Sequence, residues 1–74
     1  MIKVKDTKRL KAFGFDYEER LKHFQRFVDE QNLLVVDEDS QVHLFGMSDK
    51  LLDVFFDLQA AGLLERVEVE DNNN

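Results

Sequence analysis

The sequence predicts a small α+β domain. A mostly antiparallel sheet, with a β-hairpin over about 33–45, packs against two or three helices, the longest over about 49–61. Three observations carry this expectation. "LLVV" and "QVHLF" flank four polar residues of turn type, which is a hairpin pattern. An apolar stripe follows Ser48 and stops at Gly62, as a capped helix does. Short apolar–polar alternations stand near both ends, at Ile2–Lys5 and Leu64–Glu70.

Each element has a local reason. Ile2 and Val4 alternate with Lys3 and Lys5, which suits a half-buried strand. Asp6 is placed to cap a short helix from Thr7 to Phe13, with Leu10 and Phe13 on one face and Gly14 at the left-handed C-cap position. Asp16-Tyr17-Glu18-Glu19 resembles a capping box, and Tyr17, Leu21, Phe24 and Val28 recur at helical spacing. The reading favoured for Asp16–Val28 is therefore an amphipathic helix. The rival reading makes "KHFQRFV" the first strand of a meander.

Leu33–Val36 is apolar on both faces, so this strand is expected to be central or doubly covered. Asp37–Ser40 turns the chain and Gln41–Phe45 returns it. In the final helix Leu51, Leu52, Phe55 and Leu58 are the expected core. The last strand turns Glu68 and Glu70 outward, and beside the first strand they would face Lys3 and Lys5. Residues 1–70 form one domain on this reading, and 71–74 ("DNNN") a disordered tail.

Composition narrows the function. The chain has 74 residues, a net charge of −6, and no Cys or Pro. A domain of this length buries only about 60% of its unfolded surface, and no disulfide or thiolate zinc site is open to it. The acidic balance argues against nucleic acid and against anionic membrane surfaces. The N-terminus lacks the apolar run of a signal peptide, and no stretch approaches the ~18 apolar residues of a membrane span. A cytoplasmic protein is the expectation.

The chemistry-bearing residues do not assemble into motifs. Glu19 and His23 are spaced i,i+4, but zinc needs a third ligand and none accompanies them. "DEDSQVHLFGMS" begins like a calcium loop at Asp37 and Asp39, yet has Val42 where Gly belongs and Ser48 where Glu belongs. Ser40 and Ser48 are explained by a turn and a helix cap. The three glycines are scattered, so no phosphate-cradling loop exists. The expectation is a protein without catalytic residues, cofactor or metal.

Two resemblances add to this. "LLDVFFDLQAAGLLERVEVE" resembles the end of a winged helix, where a helix closes on "GLLERV" and enters the wing. Its Asp49, Asp53 and Asp57 depart from a recognition helix, which needs Arg, Lys, Asn or Gln toward the groove. The layout of "MIKVKD", "LKAFGF" and the closing "LLDVFFDLQAAGLLERVE" is similar to small uncharacterised proteins of phages and prophages of Gram-positive bacteria. That resemblance implies an accessory protein acting on a host or phage protein, and it brings no functional residue.

The apolar content exceeds what one sheet face can cover. Phe45, Val54, Phe56 and Phe27 are left over as a possible protein interface, to a partner or in a homodimer. Two other readings stand beside an interaction protein: an acidic inhibitor imitating DNA, and a degenerate winged-helix regulator.

Overall fold

The computed structural model describes residues 1–68. The expectations for Val69 and Glu70 and for the 71–74 tail lie outside the described residues. The elements run β1 (Ile2–Val4), a 3₁₀ helix (Thr7–Phe13), β2 (Asp16–Glu18), β3 (His23–Phe27), β4 (Leu33–Val36), β5 (Val42–Phe45), α1 (Asp49–Ala60) and β6 (Leu64–Arg66). This is a mixed α+β fold with two antiparallel sheets, one of order β2-β3-β4-β5 and one pairing β1 with β6. Among the described residues a single bridge, Lys3 to Gln41, joins the two sheets.

The short-range signals act where the sequence places them. Asp6 accepts from the Lys8 amide at the start of the 3₁₀ helix, and Gly14 ends it with φ 84°. Ser48 accepts from the Lys50 amide at the start of α1. The Leu63 amide donates to Leu58 O past Gly62, whose φ is 73°. That is the backbone closure expected of a glycine-terminated helix. The hairpin turn over Asp37–Ser40 is held by amides donating to the Asp37 carboxylate, from Asp39 and Gln41, each at 2.9 Å.

Asp16–Val28 is not a helix. It is the β2–β3 hairpin, with Asp16 opposite Gln25, Tyr17 opposite Phe24 and Glu18 opposite His23. Two things defeat the helical periodicity. Lys22 takes φ 53°, a left-handed conformation that reverses the chain and breaks a helix. The Asp16–Glu19 capping box does not form: Asp16 pairs with Gln25 in the ladder, and the Glu18 carboxylate accepts from the Arg20 amide inside the turn. Leu21, expected on the buried stripe, stands exposed at the turn. The tertiary reason is β4: a central strand needs a neighbour on each side, and β3 is the one available.

The core is Val4, Leu10, Phe15, Leu34, Val36, Leu51, Val54, Leu58 and Leu63. It lies between one face of the four-stranded sheet and the two helices. On α1 the buried stripe is Leu51, Val54 and Leu58, not Leu51, Leu52, Phe55 and Leu58. Phe55 is half-buried and Leu52 exposed. At 3.6 residues per turn, Leu51, Val54 and Leu58 fall within one narrow sector, and Leu52 lies about 100° away from it.

β1 and β6 are neighbours, as the alternations at the two ends imply, but the register differs. Lys3 faces Glu65 and Ile2 faces Arg66. The tight exit from α1 decides this. Leu63 is buried directly after the helix and accepts from the Lys5 amide, which draws β6 back along β1. Glu68 therefore passes beyond Lys3 instead of pairing with it.

Candidate functional site

Cross-strand partners share a face of a sheet. On β3, β4 and β5 this sorts the side chains into two sets. Phe24, Val36 and Val42 form one row and Arg26, Leu34 and Leu44 another, both toward the core. Arg26 belongs there because its guanidinium Nη1 donates to Phe13 O at 2.6 Å, satisfying a carbonyl at the end of the 3₁₀ helix.

The other face carries two different rows. Gln25, Val35 and His43 form one, and Phe27, Leu33 and Phe45 the next. The core residues of both helices pack with Leu34 and Val36 on the opposite side, so among the described residues this face is open. Val35 is only 7% exposed, sheltered between its cross-strand neighbours, but Phe27 is 55% and Phe45 51% exposed. Two aromatic rings thus flank Leu33 on an uncovered sheet surface. His43 stacks beside Phe45, with ring centroids 6.2 Å apart.

The end of this face is bolted by a polar chain. The Asp29 carboxylate accepts from the amides of Gln31 and Asn32 and from Asn32 Nδ2, at 2.7 to 2.9 Å. Asn32 Oδ1 accepts in turn from the Met47 amide at 3.0 Å. These bonds, the Gln31 amide first, hold the Asp29 carboxyl below its ordinary pKa. The β3–β4 loop is thereby tied to the β5–α1 loop. Gly46 makes this possible: its φ is 119°, and a Cβ there would stand 1.7 Å from Asn32 Oδ1. Beyond it Met47 is presented to solvent, 98% exposed.

At the other end, His43 Nε2 donates to Asp37 Oδ2 at 2.8 Å. Burial raises the Asp37 pKa, but the bonds from His43 and from the Gln41 and Asp39 amides lower it by more. The net result is a carboxyl below its ordinary value.

The four residues singled out from sequence separate in space. Phe27 and Phe45 share the open sheet face. Phe56 is exposed on α1, on the opposite side of the domain, packed edge-on to Phe55 at 6.0 Å. Val54 is 4% exposed and a core residue, so it is no part of an interface. Leu33 and Met47 are additions that the sequence reading does not contain. Their signals were available: "LLVV" is apolar on both faces, and Met47 follows a glycine just before a helix cap.

Other hollows are shallow. A groove of about 330 Å³ between β6 and α1 is lined by Ile2, Phe55, Leu64, Gln59, Glu65 and Arg66, at the lower limit of small-molecule sites. Among the described residues no three His, Cys, Asp or Glu side chains are placed to hold a metal ion, and no helix is long and apolar enough to cross a membrane. The likeness of Leu51–Glu70 to a winged helix stops at the helix–glycine–strand junction. β6 pairs with β1, and strands β2–β5 stand where preceding helices would be required. Comparison with protein-family models, with curated proteins and with solved structures gives no match.

Proposed function

We propose that this chain is a small, non-enzymatic interaction protein whose working surface is the open face of the four-stranded sheet. The setting proposed is cytoplasmic and phage- or prophage-encoded, as the layout of the sequence implies. The observation that carries the reading is the row Phe27–Leu33–Phe45 on the sheet face turned away from the core, with Phe27 and Phe45 each more than half exposed among the described residues. Exposed aromatics on a rigid scaffold are the usual anchors of protein interfaces, because they bury large area at low entropic cost. The Asp29–Asn32–Met47 chain supplies the rigidity.

The partner in this reading is a protein with an apolar surface. The test is affinity capture from a host lysate with the wild-type chain and with a Phe27→Ser/Phe45→Ser variant. A stoichiometric partner retained by the first and lost by the second supports the reading. Identical retention by both overturns it.

One observation favours a DNA-imitating inhibitor. Asp49, Asp53 and Asp57 are all exposed and fall at i, i+4 and i+8 along α1, about 6 Å apart along its axis. Lys50 and Arg26 line the same groove as Asp53 and Asp57, which dilutes the negative field. Competition between this protein and duplex DNA for the captured partner would decide for mimicry.

A further inference from the structure

Sheets of this kind end in strands whose outer main-chain groups are unpaired, and such edges are usually guarded by charge, proline or a bulge. Three strands here are edges: β2, β6 and, beyond its one bridge to β1, β5. β2 carries Asp16 and Glu18, and β6 carries Glu65 and Arg66. β5 is Val-His-Leu-Phe, without an acid, a lysine, an arginine or a proline.

The ladder shows which groups of β5 are available. The Asp37 amide donates to Gln41 O, so Gln41 turns its main chain toward β4. Antiparallel pairing alternates, so His43 and Phe45 do the same, and Val42 and Leu44 point outward. β1 reaches the edge at Gln41, where the Val4 amide donates to Ser40 O. Among the described residues this leaves the N–H and C=O of Leu44 facing solvent. Around them the apolar exposure is concentrated: Leu44, Met47 and Leu52 line a shallow groove on one side, and Phe45 stands on the other.

We infer that this edge pairs with the same edge of a second copy, Leu44 against Leu44 across a two-fold axis, antiparallel. Charge selects a second copy over the other faces of the molecule. The chain carries −6, so most contacts between copies oppose acid to acid, as the Asp49–Asp53–Asp57 row would. Among the described strand edges, β5 itself carries no ionised side chain, so Leu44-to-Leu44 pairing sets no like charges against each other along the strand, and the acid beside it is Asp49 at the far wall of the groove. In that register Phe45 lies directly opposite His43 of the second copy, and the Leu44–Met47–Leu52 groove comes beside its own copy. A standard interface covers roughly 800 Å² per partner, and a single short strand supplies less. The association is therefore weak and concentration-dependent.

The test uses the whole chain. Sedimentation equilibrium from about 10 μM to about 1 mM spans the range in which weak association is populated. The weight-average mass should rise from monomer toward dimer, and the Leu44 amide should exchange more slowly at the higher concentration. A synthetic chain N-methylated at Leu44 keeps every side chain and loses only the edge donor, and Leu44→Lys adds the charge that guards natural edges. Both should remain folded by circular dichroism and monomeric throughout. Phe27→Ser should leave the dimer intact, which separates this inference from the partner-binding reading above. A wild-type chain that stays monomeric at about 1 mM, or a dimer that survives N-methylation, overturns it.

Discussion

The two faces of β3, β4 and β5 are both apolar at their centres, yet they meet different surroundings. Toward the helices, Phe24, Leu34 and Val36 are packed under Leu51, Val54 and Leu58. On the reverse side Phe27 and Phe45 flank Leu33, each more than half exposed among the described residues. A side chain stabilises a fold by the area it withdraws from water, not by its chemical type. The same residue types are therefore structural on one face and available for recognition on the other.

The largest effect should come from neighbours on one strand. Leu34→Ala removes a fully buried side chain and should cost about 2–5 kcal/mol. Leu33→Ala, one residue away on the open face, should cost less than about 1.5 kcal/mol. Urea unfolding of the pair measures the contrast directly, and equal losses would mean that the outer face is covered in solution.

Next is the bolt that holds the end of the open face. Gly46→Ala puts a Cβ against Asn32 at a left-handed φ and should cost about 1–3 kcal/mol. Asn32→Ala leaves the Met47 amide without its acceptor and should cost about 1 kcal/mol. It should also raise hydrogen exchange at Met47 before any global loss of structure.

Phe27→Ser and Phe45→Ser should each shift stability by about 0.5 kcal/mol or less, as surface changes do. They should nonetheless abolish partner capture. A large loss of melting temperature would assign the rings to folding instead.

The smallest effect is the pH response of the hairpin turn. Asp37 titrates below its unfolded value, so its contribution is complete above the unfolded pKa of about 4 and vanishes as pH falls through the lower folded value. Stability of the wild type should therefore fall on acidification below about pH 4. Asp37→Asn should flatten that part of the profile, measured by thermal melts across the range.

How far the sequence could be read follows from the range of each interaction. Asp6, Gly14, Ser48, Gly62 and the Asp37–Ser40 turn were legible, because each acts on an amide or carbonyl within a few residues of itself. Tyr17–Val28 was not, since its apolar residues fit a period of 3.6 about as well as a hairpin. At the site, Phe27 and Phe45 were identifiable as surplus apolar residues. That Leu33 lies between them, or that Val54 is core and Leu52 is not, depends on register and helix rotation.

The amino-acid sequence alone determined the turn and cap positions, the apolar α1, the doubly apolar β4 and the acidic surface, since local bonding and composition decide these. Tertiary structure decided that Asp16–Glu18 and His23–Phe27 are strands, which sector of α1 is buried, where β6 meets β1 and which sheet face stays open. The physical reason is that burial and strand pairing are satisfied by residues far apart in the chain, so several local patterns compete until the whole core closes.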